Sequence, residues 1–404
     1  MAVGLTEFSE LLPVPGVRLG TSQAGVRYKG RNDVVLMEFC PGSSCAGVFT
    51  RNAFCAAPVV IAKRHMHSMA PRMFLINSGN ANAGTGRQGE ADALACCASL
   101  AEVAACSPEE VLPFSTGVIG EPLPVERISA VLPALFDGLS ATSWAQAARA
   151  IMTTDTLAKG VSRQVGIEGT TVTITGIAKG SGMIRPDMAT MLAYIATDAG
   201  MGQEELQQCL QAAMNESFNR ITVDGDTSTN DACMLVATGK SGLRIKPGSR
   251  GYTEFYTALR EVCVYLAQAV VRDGEGATKF ITIDVEEGME EQECLDVAYT
   301  IAHSPLVKTA FYASDPNWGR ILAAIGRAGL SDLDLDKVRV YLNDVCIVEQ
   351  GARAVSYTEQ AGQAVMHEAE ITIRVLLGRG TARSRVWTTD LSHEYVRINA
   401  EYRS

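Results

Sequence analysis

Thr190 directly follows Ala189 and stands just before an apolar run that begins at Leu192. Breaking the Ala189–Thr190 peptide bond would give Thr190 both a hydroxyl and a free α-amine. That amine could act as general base for its own hydroxyl, which is a known way to activate a weak nucleophile. A free α-amine has a pKa of about 7.7–8.0, so it works near neutral pH, where a lysine amine is mostly protonated. The residues are therefore compatible with a self-cleaving precursor that has Thr190 as nucleophile. Taken alone, however, a threonine at the start of a strand is better explained as a common strand residue packed by its methyl group.

A second motif, STGVIG at 115–120, contains groups that could stabilise an oxyanion. Thr116 offers a hydroxyl, and Gly117 lets a backbone N–H approach closely because it has no side chain. Acyl transfer needs such donors, aimed at the charge that develops on the carbonyl oxygen. Taken alone, however, the motif is better explained as a strand-to-loop turn that uses glycine for its dihedral freedom.

The stretch KGSGMIRPDMATMLAYIATD, 179–198, resembles the glutamate N-acetyltransferase family of arginine biosynthesis, also called ornithine acetyltransferase. In that family a precursor cleaves itself before the Thr of an ATML motif, which stands here at 189–192. The resemblance covers essentially the whole chain, in eight ordered segments. These are AGVFTRNAFCAAPV (46–59), NSGNANAGTG (77–86), STGVIGEPLP (115–124), MTTDT (152–156), FNRITVDGDTSTND (218–231), RDGEGATKF (272–280), DPNWGRI (315–321) and INAEYRS (398–404).

The resemblance implies a reaction, an assembly and a fold. Acetyl would pass from N2-acetyl-L-ornithine to L-glutamate through a Thr190 ester, without cofactor or metal. Some members also accept acetyl-CoA, and these residues leave open whether this chain does. The mature form implied is an alpha chain, 1–189, and a beta chain, 190–404, in a heterotetramer of two copies of each. The fold implied is mixed α/β (α+β), a layered sandwich of N-terminal-nucleophile type with the nucleophile strand at its centre.

The resemblance also assigns site residues. Thr116 and Gly117 match the oxyanion hole of the family. Positions matching its ligand contacts are Thr153, Lys179, Thr190, Glu275, Asn399 and Ser404. Because the substrates are zwitterions, we expect Lys179 to meet a carboxylate and Glu275 an ammonium, although both residue types are most often plain surface charges. Thr154 stands beside Thr153 as an alternative, and roles for Asn399 and Ser404 require the C-terminal tail to fold back over the site.

Composition restricts the class of protein. The 404 residues are 47% hydrophobic and 20% charged, which predicts an ordinary soluble globular protein of two or more subdomains, and no apolar run is long enough to span a membrane. We expect no secretory signal, since the first residues lack a basic stretch before an apolar core. The net charge of −10 argues against a nucleic-acid surface. Eleven cysteines without CxxC spacing predict buried thiols in a reducing cytoplasm.

Periodicity predicts six strands and seven helices. The strands are 34–39, 73–77, 170–177, 192–197, 233–238 and 280–285, and the helices are 89–105, 125–139, 143–153, 203–218, 252–272, 305–313 and 318–327. Two proline motifs, at 107–110 and 304–305, predict helix starts. GTGRQG at 84–89 lacks the short turn and the acidic residue of a dinucleotide site. His65 and His67, in an exposed-looking basic stretch, have no cysteine or histidine partners for zinc.

Two other classes of function stay open on the residues alone. One is a hydrolase or aminopeptidase that uses the same Thr190 chemistry with water as acceptor, so that acetate would form without glutamate. The other is a binding protein in which the Ala189–Thr190 bond stays intact and the glycine loops only hold a ligand. A hydrolase would release acetate whether or not glutamate is present, and this distinguishes it from an acetyltransferase. A binding protein would be purified as one uncut chain, and this distinguishes it from both enzymes.

Overall fold

The computed structural model describes residues 2–8, 10–185 and 191–401. Within them are fifteen strands: β1 Val17–Ser22, β2 Val34–Phe39, β3 Ser44–Phe49, β4 Met73–Asn80, β5 Val111–Val118, β6 Lys159–Ile167, β7 Thr170–Lys179, β8 Leu192–Thr197, β9 Ala232–Ala237, β10 Phe280–Gly288, β11 Arg339–Leu342, β12 Val345–Glu349, β13 Ala352–Arg353, β14 Glu370–Leu376 and β15 Ala382–Thr389.

The same residues form eleven α-helices: α1 Ala57–Ser68, α2 Gly86–Ala104, α3 Val125–Asp137, α4 Trp144–Ala150, α5 Gln203–Asn215, α6 Arg250–Arg272, α7 Glu291–Ala302, α8 Pro305–Tyr312, α9 Trp318–Gly326, α10 Glu359–Met366 and α11 His393–Ala400. The chain divides into two compact units. The sandwich unit comprises the described parts of Glu7–Asn219 and Asp226–Val270. The C-terminal unit comprises those of Met1–Thr6, Arg220–Gly225 and Val271–Ser404.

The sandwich unit contains two sheets. One has the strand order β1-β2-β4-β5, and the other has the order β3-β9-β8-β7-β6. β8 is thus the middle strand of the second sheet, antiparallel to β7 and parallel to β9, and all six of its residues are buried. A strand buried on both faces reads as an unbroken apolar run, as β8 does. The prediction of a central strand directly after Thr190 is confirmed.

The two sheets pack face to face through an aromatic cluster. Phe74 and Phe114 of the first sheet lie 5.9 and 5.3 Å, centroid to centroid, from the ring of Tyr194 on β8. Helices α2 and α3 cover the outer face of the first sheet, where their leucines share a core with Leu36 and Leu75. Helix α6 lies on the outer face of the second sheet. Since the layers run helix, sheet, sheet, helix, the predicted mixed α/β layered sandwich is confirmed.

The C-terminal unit has one six-stranded sheet of order β13-β12-β11-β14-β10-β15. The neighbouring strands β10 and β14 are parallel, and α7 and α9 pack against the sheet to close an aliphatic core. Helix α8 begins at Pro305 as predicted, where Ser304 caps it by accepting from the Val307 N–H. Sequence patterns predicted only β10 among the strands of this sheet, because the other strands are short or carry exposed arginines.

Local patterns located two buried strands best. Strands β2 and β8 match their predicted bounds to the residue. The helix start predicted at Ser107 is wrong: a capping box there closes only one 3₁₀ turn, Pro108–Glu110, and the chain continues directly as β5. Pro113 obscured that strand, and it is tolerated because β5 is a sheet edge that needs no donor on its outer side.

The cysteines behave as small hydrophobes. All eleven are free thiols, and seven of them are buried. Burial raises the pKa of thiols such as Cys45 and Cys233, which keeps them protonated and unreactive. Across the part of the chain that the structure describes, no helix is both long and apolar enough to cross a bilayer.

Candidate active site

The site begins at Leu192, the first residue of β8. Lys179, the last residue of β7, pairs with Leu192 on one side, and Ala232 of β9 pairs with it on the other. The Ala232 N–H also donates to the Met191 carbonyl at 2.9 Å, and Met191 is buried. The predicted cleavage-site residues Ala189 and Thr190 lie outside the described residues. The bond between them comes after β7 and before β8, neighbours in one sheet of the sandwich unit.

The predicted oxyanion residues lie at the end of β5. Thr116 is buried, and Gly117 pairs with Gly79 of the parallel strand β4. The φ of Gly117 is +135°, and a Cβ atom built there would lie 2.2 Å from the Gly79 carbonyl carbon. Only glycine fits both the dihedral and the space. This close approach, and not simply a flexible turn, explains the glycine of the STGVIG motif.

Lys179 and Thr116, 63 residues apart, meet in the structure. The Lys179 Nζ donates to Thr116 Oγ1 at 3.1 Å. An ammonium has donors only, so the threonine oxygen must accept, and its own proton points away from Lys179. The hydroxyl is thereby held as a donor toward another group, as an oxyanion hole requires. Lys179 is partly buried by this contact, so its interpretation as a plain surface charge is wrong.

Replacing Thr116 by Ala should slow acetyl transfer by about 10²–10³-fold, the cost typical of one lost oxyanion donor. The substrate should bind nearly as before, since the donor is used in the transition state. The measurement is steady-state transfer to glutamate in the variant and in wild type. A Thr116→Ser variant keeps the hydroxyl and should retain most of the activity. Wild-type turnover in the alanine variant would remove Thr116 from the oxyanion hole.

Asp155 connects the Thr153 loop to the end of β7. Its carboxylate accepts from the backbone N–H of Thr153 at 3.0 Å and of Gly180 at 2.7 Å, and from Lys159 Nζ at 2.6 Å. Burial by itself would raise the pKa of this carboxyl, but the ammonium groups of Lys159 and Lys179 outweigh burial and hold the pKa well below its ordinary value. A permanent anion therefore fixes the backbone next to Lys179. The sequence reasoning missed Asp155, although the MTTDT segment contains it.

Asp231 is a second buried carboxyl, directly before β9. Burial raises its pKa well above the ordinary value, and Ser228 and Lys179 offset only part of the shift. Its Oδ2 has no hydrogen-bond partner within the residues that the structure describes. A buried carboxyl without full hydrogen bonding favours its neutral form. The pKa values of the two carboxyls near Lys179 thus shift in opposite directions, that of Asp155 downward and that of Asp231 upward.

The raised pKa of Asp231 predicts a pH-dependent stability. The pKa of Asp231 is higher in the folded than in the unfolded chain, where it is about 3.9. The contribution of Asp231 to the free energy of unfolding is therefore complete below about pH 3.9 and is lost as pH rises through the folded pKa. Between the unfolded and the folded pKa, the free energy of unfolding falls by about 1.4 kcal/mol per pH unit. Asp231→Asn removes the ionisation, so the melting temperature of the variant minus that of wild type should increase from pH 4 to pH 8. A constant difference across thermal scans would contradict the raised pKa.

In the C-terminal unit the structure joins Glu275 to Asn399. The Asn399 Nδ2 donates to Glu275 Oε2 at 2.8 Å, and Glu275 is buried, so its interpretation as a surface charge is wrong. Two further bonds fix α11 within this unit: Ser392 Oγ donates to the Gly276 carbonyl at 2.6 Å, and Tyr395 Oη donates to Asp224 at 3.2 Å. The chain near its C-terminus thus folds back onto the glycine-flanked loop of the same unit, and the role of the tail in the site stays a prediction. Ser404 lies outside the described residues.

Thr153 and Thr154 differ in how their hydroxyls are used. Thr154 Oγ1 lies 2.7 Å from Ser181 Oγ, and the two hydroxyls hydrogen-bond to each other. The Thr153 side chain makes no hydrogen bond among the described residues, where only its backbone N–H is used, by Asp155. The structure therefore leaves the Thr153 hydroxyl available to a ligand and commits that of Thr154 to the turn after β7.

Two motifs set aside on sequence are structural. GTGRQG opens α2, where Asn82 Nδ2 donates to the Gly89 carbonyl at 2.8 Å. His65 is buried in α1 and contacts the Val111 carbonyl through Nδ1 at 2.8 Å, so the expectation of an exposed stretch is wrong at this residue. Within the described ranges, no group of three or more His, Cys, Asp or Glu side chains is placed to hold a metal ion.

The sequence profile of the ArgJ family matches residues 18–404. The chain belongs to the ArgJ family. The arginine biosynthesis bifunctional protein ArgJ of Pseudomonas syringae pv. tomato is 59% identical, over 100% of both chains. A crystal structure of the ArgJ protein from Bacillus halodurans is 39% identical over 50% of this chain and 95% of that one, with a TM-score of 0.48. Ornithine acetyltransferase from Mycobacterium tuberculosis, solved with ornithine, is 33% identical over 44% of this chain and 94% of that one, with a TM-score of 0.39.

Membership of the ArgJ family confirms the identification made from the eight sequence segments. It also confirms the interpretation of the chain as an acyltransferase of arginine biosynthesis, and it favours that interpretation over a hydrolase or a binding protein. The individual roles of the site residues remain predictions. Thr116, Gly117, Thr153 and Lys179 belong to the sandwich unit of this ArgJ-family chain, and Glu275 and Asn399 belong to its C-terminal unit.

Proposed function

We propose that this ArgJ-family chain cleaves itself before Thr190 and then moves acetyl from N2-acetyl-L-ornithine to L-glutamate through a Thr190 ester. The observation that carries the proposal is the hydrogen bond from Lys179 to Thr116, made at the end of the strand that adjoins β8. It holds a hydroxyl as a donor beside the strand that follows Thr190, and acyl transfer needs a donor of this kind.

Self-cleavage creates the catalytic group. The Thr190 hydroxyl attacks the Ala189 carbonyl, the peptide rearranges to an ester, and water hydrolyses the ester. The products are an alpha chain ending at Ala189 and a beta chain beginning with the free amine of Thr190. That amine is then the base for its own hydroxyl. Because β7 and β8 are neighbouring strands, the two pieces stay associated through the sheet, and we propose the heterotetramer of two alpha and two beta chains.

Acetyl transfer uses the same hydroxyl twice. Thr190 Oγ attacks the acetyl carbonyl of acetylornithine while the amine takes the hydroxyl proton. The oxyanion accepts from the Thr116 hydroxyl and the Gly117 N–H. Its collapse breaks the amide bond and returns the proton to the leaving amine of ornithine. The amine of glutamate then attacks the Thr190 ester by the same route, which predicts ping-pong kinetics.

Charged and polar side chains select the zwitterionic substrates. We assign Lys179 to a substrate carboxylate and Glu275 to an ammonium, with Asn399, Ser404 and the Thr153 hydroxyl as neutral contacts. Thr153 is preferred to Thr154 because the Thr154 hydroxyl is held by Ser181. No cofactor or metal is required, since the donor amide carries the acetyl group itself. The P. syringae relative is named bifunctional, so acetyl-CoA is included as a second donor to test. The reduced cysteines favour the cytoplasm as location.

The test is to follow the acetyl group by mass spectrometry and product analysis. Purified protein mixed with acetylornithine and quenched within one turnover should carry one acetyl group on the beta chain. Adding glutamate should discharge it as N-acetylglutamate, whereas buffer alone should discharge it slowly. Rapid release of acetate whether or not glutamate is present would support the hydrolase instead. Repeating the experiment with acetyl-CoA in place of acetylornithine shows whether acetyl-CoA also serves as an acetyl donor.

A further inference from the structure

Asn230 is buried just before β9 and uses its whole side-chain amide. Its Nδ2 donates to the carbonyls of Ala81 at 2.6 Å and Ser115 at 2.9 Å, and its Oδ1 accepts from Thr229 Oγ1 at 2.7 Å. Ser115 is the residue directly before Thr116, and it lies on the other sheet of the sandwich unit. One side chain thus ties the end of β5 to the chain that enters β9.

The other end of this connection reaches the start of β8. Ala232, two residues after Asn230, donates its N–H to the Met191 carbonyl at 2.9 Å. Met191 is the chain neighbour of Thr190. Two hydrogen bonds and three consecutive residues, 230–232, therefore join the residue before Thr116 to the residue after Thr190. No comparably short path along the backbone exists, because Thr116 and Thr190 are 74 residues apart in sequence.

Side-chain hydrogen bonds within the first sheet also fix the end of β5. Ser115 Oγ donates to Asn77 Oδ1 at 2.6 Å, and Asn77 Nδ2 donates to the Asn80 carbonyl at 2.8 Å. These bonds fix β5 against β4 within the first sheet. They do not join β5 to the second sheet, to which β8 belongs. The bond from Asn230 to Ser115 does so through the backbone of β5, in addition to the Lys179–Thr116 hydrogen bond and the packing of Phe114 on Tyr194.

We propose that Asn230 is a positioning residue, which sets the distance between the oxyanion donors Thr116 and Gly117 and the strand that follows the nucleophile. The inference rests on the proposed acetyl transfer. Oxyanion donors act only at hydrogen-bond distance from the charge, and a misplacement of about 1 Å can lower a rate by about 10²-fold. Asn230 touches neither the reacting atoms nor the substrate in this role, so its loss should affect the chemical step and spare substrate binding.

The experiment compares Asn230→Ala with a matched control, Gln207→Ala. Gln207 also makes two amide bonds to backbone in the sandwich unit, both to Gly47 of the edge strand β3, at 3.0 and 3.1 Å. Single-turnover acetylation with acetylornithine gives a rate constant and an apparent Kd for each protein, counted per cleaved chain. We expect a fall of about 10–100-fold in the rate constant for Asn230→Ala, with Kd changed less than about 3-fold. Gln207→Ala should keep the wild-type rate constant.

Asn230→Asp provides a second test that does not depend on the fold of the alanine variant. An ionised carboxylate would repel the carbonyls of Ala81 and Ser115, whereas a protonated one can donate to Ser115. The acetylation rate of this variant relative to wild type should therefore rise as pH falls. A general loss of stability would not make this rate ratio depend on pH, provided the rates are measured well below the melting temperatures of both proteins.

The outcomes separate this inference from the proposed function. Wild-type protein that forms no acetyl-enzyme would overturn the proposed function, and the inference with it. If wild type is acetylated, two results together would overturn the inference and leave the proposed function standing. They are a wild-type rate constant in Asn230→Ala, and a ratio of Asn230→Asp to wild-type acetylation rates that does not change with pH. Equal slowing in Asn230→Ala and Gln207→Ala would also overturn it, since the effect would then be general.

Discussion

Replacing Thr190 by Ala is expected to give one uncut chain of 43.1 kDa that carries no acetyl group and transfers none. The variant lacks the hydroxyl that the proposal uses as nucleophile, both for cleavage and for the ester. Wild-type protein should instead show two pieces. Dividing the mass in proportion to 189 and 215 residues gives about 20 and 23 kDa. The measurement is intact mass, before and after addition of acetylornithine.

Thr190→Ser is the matched control for this result. Serine keeps both the hydroxyl and, after cleavage, the α-amine, so it should cleave and become acetylated on the beta chain. Loss of cleavage in Thr190→Ala with its retention in Thr190→Ser would identify the hydroxyl as the cleaving group. An uncut wild-type chain, or an alanine variant that is cut at the same bond, would overturn self-cleavage by Thr190.

Replacing Gly117 by Ala is expected to abolish transfer almost completely, with a loss at least as large as the 10²–10³-fold typical of one oxyanion donor. The new Cβ would lie 2.2 Å from the Gly79 carbonyl carbon and 2.5 Å from the Asn80 N, so backbone must move. The φ of +135° adds strain for any L side chain. Both effects displace the Gly117 N–H and the neighbouring Thr116 hydroxyl, so two donors are lost together.

Gly166→Ala is the control for the glycine substitution. Gly166 lies on β6 of the same unit, has no positive φ, and a Cβ there meets nothing within 4 Å. That variant should keep wild-type activity and melting temperature. The comparison requires acetylation rates together with thermal melting of both variants. A Gly117→Ala enzyme with unchanged acetylation would show that the N–H of this residue and its close approach to β4 are not used in catalysis.

The sequence by itself determined the family and predicted the chemistry. Eight ordered segments identified the family over the whole chain, and with that resemblance the Ala-Thr pair before an apolar run predicted a self-activated nucleophile. The strand after Thr190 was predicted to the residue because a run buried on both faces is a strong local pattern. Helix α8 was located for a similarly local reason, since Ser304 and Pro305 act on the adjacent backbone. Such signals need no knowledge of distant contacts.

Only the tertiary structure decided which of these residues act on each other. Lys179 and Thr116 are 63 residues apart, and Asn230 and Ser115 are 115 apart. Each pair meets because the ends of β5 and β7 lie near the start of β9 in two stacked sheets, and strand order leaves no periodic trace in the chain. The same holds for burial of Glu275 against Asn399 and for the opposite pKa shifts of Asp155 and Asp231. A carboxyl has one intrinsic pKa, and its surroundings, which long-range packing supplies, decide the direction in which that pKa moves.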